Sequence, residues 1–185
     1  MPMAEPLSDL SGLTLAEIAQ RAVDAKLPPV ASWNPARTGD SEMRIARDGR
    51  WFHQGDPINR PNMVRLFSTI LRREPDGSHV LVTPAEKLSI LVEDTAFQAV
   101  EVKSEGTGAS RCLAFRLNTG DLVMAGADHP VTIDAVGPVL AVRAGLEARI
   151  ARAVYYELAE FALEEGADPP GVWSDGQFFA LASLT

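Results

Sequence analysis

From Pro75 to Arg143 the apolar residues recur with a period of two, in short runs that turn signals interrupt. Seven runs read as strands, at 79–83, 87–93, 97–103, 110–117, 121–125, 130–134 and 138–143. Gly106-Thr107-Gly108, Asn118-Thr119-Gly120 and Gly137-Pro138 are among the turns that part them. Runs of this kind bury one face and pair antiparallel with their neighbours, which constrains this stretch to a sheet or barrel. A chain of 185 residues, 46% apolar and 23% charged, buries roughly 70% of its unfolded surface and is not disordered as a whole. It has room for one domain, or for two small ones that share a core.

Before this stretch the pattern is mixed. Thr14-Leu15-Ala16-Glu17 forms a capping box, and Leu15, Ile18, Ala19, Ala22 and Val23 follow at helical spacing until Pro28-Pro29. Residues 30–42 read as a loop. Met43 to Gln54 reads as a hairpin around Asp48-Gly49, with Trp51-Phe52 in its second strand. Asn59 as N-cap and Pro61 in the first turn predict a helix over about 60–73. On it Met63, Leu66, Phe67, Ile70 and Leu71 share one face, and Arg65, Thr69 and Arg72 the other. After the strands, Gly145 precedes a helix predicted over 146–164, with Leu146, Ile150, Val154, Leu158 and Phe161 as its apolar stripe. Gly166 and Pro169-Pro170 close it, and a last hairpin turns at Asp175-Gly176.

Seven antiparallel strands followed by one helix is the element order of a pleckstrin-homology-like barrel, in which the helix plugs one open end. The reading is therefore an α+β fold in two parts, an N-terminal α+β domain at 1–78 and a seven-stranded pleckstrin-homology-like domain at 79–185. A hairpin, a helix and an Asp-Gly-started strand occur at 43–54, 60–73 and 76–82, and again at 130–143, 146–164 and 175–182. Chance supplies Asp-Gly turns too, so duplication and coincidence are both open.

Net charge is −8 with a pI near 4.9, which disfavours nucleic acid as a partner. A single cysteine, Cys112, excludes an internal disulfide framework and a cysteine-based zinc site. It reads as a small buried hydrophobe. The acidic, proline-broken start from Met1 to Pro6 is unlike a secretory signal, and the apolar runs are too short to span a membrane, for which about 20 residues are needed. The expectation is a cytoplasmic protein.

The middle of the chain carries a longer string. Gly55-Asp56-Pro57-Ile58-Asn59-Arg60 leads into Val64-Arg65-Leu66-Phe67 and Ile70-Leu71-Arg72-Arg73-Glu74. Asp76-Gly77, Leu81-Val82-Thr83-Pro84, Glu86-Lys87, Val92-Glu93-Asp94, Phe97 and Asp128-His129-Pro130 continue it. Over about 48–135 the chain resembles the uncharacterised bacterial domain-of-unknown-function family DUF1285. It departs at Thr95-Ala96, where that family usually reads Ala-Pro. The resemblance implies a two-part α+β fold with repeated motifs and a pleckstrin-homology-like second part. It implies no assigned reaction, and a role in ligand sensing or signal transduction.

Charge divides the chain. Residues 1–73 hold ten basic and eight acidic groups, and residues 74–185 hold seven and seventeen. Arg44, Arg47, Arg50, Arg60, Arg65, Arg72 and Arg73 crowd one stretch. They suit an anion, which guanidinium forks and a helix N-terminus both attract. They equally suit ion pairs that dock the first part on the acidic second part, and the two readings agree if the seam is also the pocket. The favoured function is a non-enzymatic, ligand-binding or regulatory protein with a small anionic ligand at that seam. Arg60, Arg65 and Arg72 are the charge partners, Lys87 and His129 second contacts, and Trp51 and Phe97 the walls. One alternative is a hydrolase using Glu93 or Asp94 with His129, although adjacent strand residues face opposite ways. The other is an interaction module that takes a peptide from a protein partner. No spacing of His53, His79 and His129 suggests a metal, and no nucleotide, cofactor or nucleophile motif is visible.

Overall fold

Arg47 to Arg50 turn the chain back on itself, and Gly49 takes the turn at φ 89°, where a Cβ would be strained. The flanking strands, β1 (Thr38–Ile45) and β2 (Trp51–His53), pair antiparallel with Ile45 opposite Trp51. The structure, a computed structural model, describes residues 10–181, so the reading of the first six residues lies outside it. The hairpin is where the sequence places it, but β1 begins inside the expected 30–42 loop. From the other side it is held at both ends by β6 (Lys87–Val92), in a parallel pair with a bulge between Asp40 and Arg44.

A two-residue strand β3 (Asp56–Pro57) precedes helix α2 (Pro61–Thr69). The N-cap is Arg60, not Asn59, and it makes no side-chain capping bond. The helix is one turn shorter than its apolar spacing suggests. Ile70 leaves it at φ −105°, and Leu71–Arg73 becomes β4, antiparallel to β5 (His79–Val82) with Leu71 opposite Leu81. Arg65 and Arg72 therefore do not share a helix face. The first sheet runs β3-β2-β1-β6-β5-β4.

The second sheet holds β7 (Phe97–Glu105), β8 (Cys112–Leu117), β9 (Leu122–Met124), β10 (Val131–Ile133), β11 (Pro138–Arg143) and β12 (Leu146–Ile150). Its order is β10-β11-β12-β7-β8-β9. Strand β12 corrects the expected helix start: Leu146, Ala148 and Ile150 are buried in alternation, and α3 spans Arg152–Glu165. Gly166 ends α3 in the left-handed conformation, and the hairpin of β13 (Gly171–Ser174) and β14 (Gln177–Ala180) forms a third, small sheet. Cys112 is only partly buried.

The seven runs thus do not form one seven-stranded unit. Strands β5 and β6 complete the first sheet, and β7 to β11 join β12 in the second. The fold is mixed α+β with two six-stranded sheets. Each sheet joins two three-stranded meanders through one parallel pair, β1 with β6 and β7 with β12. This recurrence links 38–92 to 97–150. It is offset from the one read in the sequence, although hairpin, helix and hairpin do follow one another twice.

One apolar core spans both sheets. Met43, Ile45, Trp51, Leu71 and Ile90 from the first pack with Phe97, Phe115, Leu140 and Ile150 from the second, and with Val154 and Leu158 of α3. The first helix, α1 (Leu15–Asp24), has the predicted capping box: Thr14 Oγ1 accepts from the Glu17 N–H at 3.2 Å, and Glu17 accepts from the Thr14 N–H at 2.8 Å. It sits beside β9, with Ile18 and Leu10 buried against Ala114. A helix from the front of the chain thus covers part of the second sheet.

Candidate functional site

Beside the shared apolar core, polar groups also tie the two sheets together. Arg149 of β12 donates to both oxygens of Asp94 at 2.8 and 2.9 Å and to both oxygens of Asp134 at the same distances. Those bonds hold the Asp134 carboxyl well below the usual carboxylate range and raise the Arg149 pKa. The Gln98 amide donates to the Arg47 carbonyl and the Asn118 amide to that of Gly49. Of the seven clustered arginines, Arg73 reaches an acid of the second sheet, Glu147, at 3.6 Å. Arg44 and Arg72 pair with Glu93 and Glu74, acids of the stretch after residue 73 that fold with the first sheet, and Arg50 pairs with Asp48. Between the two sheets the ion pairing comes chiefly from Arg149.

Two cavities open along this junction. The smaller, about 330 Å³, lies between the β1–β2 turn, the start of α2 and the β8–β9 turn. Trp51, Asn59, Val64, Arg65 and Asn118 line it. Trp51 is 2% exposed, and its indole N–H has no acceptor among the described residues. The larger, about 650 Å³, lies between α1 and the second sheet. Its charged lining is Arg21 and Asp24 of α1, Arg65 of α2, Asp121, and Arg143 at the end of β11; His129 is beside them. Arg143 is mostly buried. It lies 3.6 Å from Asp121, donates to the Ser68 carbonyl at 3.4 Å and stacks 5.1 Å from the Phe97 ring centroid. Burial lowers its pKa against the pull of Asp121, yet an arginine stays charged at neutral pH. Thr119 Oγ1 donates to Asp121 and holds it in place. The His129 ring nitrogen Nδ1 lies 3.2 Å from the Ala141 carbonyl.

The structure divides the seven residues singled out in the sequence. Arg65 lines both cavities; its carbonyl accepts from the Ser68 hydroxyl, and its guanidinium makes no hydrogen bond or ion pair among the described residues. His129 joins it in the larger cavity and Trp51 in the smaller. Phe97 is fully buried; it supports Arg143 from below and walls neither cavity. Arg60 caps α2 from an exposed position outside both. Arg72 is 9% exposed and donates to the carbonyls of Val30 and Trp33 at 2.7 Å each and to Glu74. It ties the segment before β1 to the first sheet. Lys87, 3.9 Å from Glu74, belongs to that same corner. Sequence reasoning missed Arg143. Its one signal was a charge directly after the apolar run Val139–Val142.

The trio of the hydrolytic alternative is not assembled. Glu93 accepts from the Arg47 N–H and the Arg44 guanidinium, which hold its carboxyl below the usual range, and Asp94 is taken by Arg149. Neither lines the cavity that holds His129. Among the described residues no group of three His, Cys, Asp or Glu gathers as a metal site, and no helix is long and apolar enough to cross a membrane.

Residues 28–95 match the N-terminal domain of the domain of unknown function DUF1285, and residues 96–181 match its C-terminal domain. The chain belongs to the DUF1285 family. The boundary between the two matches falls in the link between β6 and β7, at the Arg149 clamp. Two crystal structures of DUF1285 family proteins are similar. The one from Silicibacter pomeroyi DSS-3 shares 42% identity over 90% of this chain and 95% of its own, with a TM-score of 0.76. The one from Shewanella baltica OS155 shares 25% over 66% of this chain and 94% of its own, with a TM-score of 0.54. No curated protein matches the chain.

Proposed function

We propose that this DUF1285 protein is a non-enzymatic binding or regulatory protein that holds a small anionic ligand at the seam between its N-terminal and C-terminal parts. The observation that carries this reading is Arg65, a guanidinium without a partner among the described residues, on the wall of both seam cavities. An arginine so placed presents a fork of donors to a carboxylate or phosphate. In the larger cavity Arg143 is held by Asp121 and the Ser68 carbonyl, so it adds charge at little cost in ordering, and His129 adds a ring nitrogen. The likeness to pleckstrin-homology-like domains and the signalling role belong to the same proposal; they rest on the family resemblance and on a sheet followed by a helix.

A thermal-shift screen of anionic metabolites tests it. Binding to the folded state raises the melting temperature by mass action, and at a hundredfold excess over Kd the stabilisation is about 2.7 kcal/mol. The expected result is a shift that Arg65→Ala abolishes. A shift that survives this change rejects the Arg65 site.

A further inference from the structure

We infer, building on the anion reading above, that the larger seam cavity takes an amphipathic monocarboxylate, an apolar chain or ring ending in a single carboxylate. Three features of the cavity point there.

The first is charge. Arg21, Arg65 and Arg143 line it together with Asp24 and Asp121, so these five groups leave a single positive charge over. That balance suits one carboxylate; a phosphate dianion would leave negative charge unpaired in a partly desolvated site.

The second is the rest of the wall. Ala22 and Val23 of α1 and Leu122, Met124 and Val142 of the second sheet are apolar. A compact anion at Arg65 would leave these side chains facing water, whereas an apolar chain would cover them. Mostly apolar walls with a few placed polar groups are the pattern of small-molecule sites, and about 650 Å³ lies within their range of roughly 300–1,000 Å³.

The third is how α1 packs. Ile18 is fully buried on the sheet, yet Val23, five residues on, is 79% exposed, and Leu27 beyond the helix is 41% exposed. Both line the cavity. The C-terminal end of α1 thus holds apolar side chains over the cavity without burying them in the protein.

Isothermal titration of the full chain with acetate, hexanoate, octanoate, 1-octanol and inorganic phosphate tests the inference. Each added methylene is expected to tighten carboxylate binding about fourfold until the cavity is filled. Arg65→Gln is expected to weaken octanoate about tenfold and to leave octanol unchanged. Val23→Ser, uncharged and at an exposed position that folding tolerates, is expected to weaken octanoate and to change acetate far less. If phosphate and acetate bind as tightly as octanoate, the amphipathic ligand is rejected and the anion site stands. If phosphate and every carboxylate fail to bind, the anion reading itself falls. Octanoate and octanol binding equally, with Arg65→Gln changing neither, overturns the inference in favour of plain apolar adsorption.

Discussion

Arg149 shows how a single side chain can fasten two sheets. It is 11% exposed and Asp94 10%, while Asp134 is 44% exposed on the rim. Asp134 accepts from Arg149 and from the N–H groups of Gly137 and Val136, and these bonds depress its pKa in that order of weight, Arg149 first. A carboxyl depressed in the folded state adds stability above its unfolded pKa, about 3.9, and that stability is lost as pH falls toward the folded value. The urea midpoint of the protein should therefore drop below about pH 4. Asp134→Asn should be less stable at pH 7 but should lose less between pH 4 and pH 2, and parallel curves for the two proteins would contradict this assignment. The cluster was not legible in the sequence, because Asp94 and Arg149 stand 55 residues apart in no motif. What was legible is that Glu93 and Asp94 part: one turns to Arg44, the other to Arg149.

At the scale of elements, turns were easier to read than periods. Asp48-Gly49 and Asp175-Gly176 mark hairpins that the structure contains. The misread element is β12, and its cause is arithmetical. Leu146 and Ile150 are four residues apart, a spacing that fits both a helix face and every second strand position. The deciding signal was the turn before it. Ala144 and Gly145 have φ of 51° and 74°, and Arg143 pairs with Leu146 across them, which makes a two-residue hairpin of the type that prefers Asn-Gly. Ala144→Asn should accordingly raise stability by about 0.5–1 kcal/mol. Gly145→Ala should lower it by about 1–2 kcal/mol, since alanine resists the positive φ and its Cβ would stand 3.2 Å from that of Arg73. Urea unfolding of the two variants checks both signs, and an unchanged or raised stability for Gly145→Ala would contradict the positive-φ turn. The shortening of α2 is the same kind of error: Ile70 and Leu71 continue a helical stripe, but pairing with Leu81 claims Leu71 for the sheet.

Across the whole molecule, two similar sheets share one interior. Phe97 and Ile150 touch the same core as Met43 and Trp51, and α1 from the front of the chain packs beside β9. The two matched halves should consequently unfold together. Calorimetry should give one transition with equal calorimetric and van't Hoff enthalpies, and residues 28–95 expressed alone should lack a cooperative melt. Two resolved transitions would show that the halves are independent. The sequence announced the division of charge but not its use: Arg44, Arg50 and Arg72 pair with acids that fold with the first sheet, Arg73 pairs with Glu147 of the second, and the Arg65 guanidinium faces both seam cavities.

The parallel pairs at the centre of each sheet bear on the speed of assembly. Thr38 meets Lys87 and Phe97 meets Ala148, so each sheet is closed by its first and last strands, after both meanders exist. Contacts between such distant positions are paid for in chain entropy before they are rewarded, which makes refolding slow for a molecule of this size. On a ribosome the order favours the chain: the earlier sheet has all six strands available while the later one is still being synthesised, and only then does the second closure bring Arg149 up to Asp94.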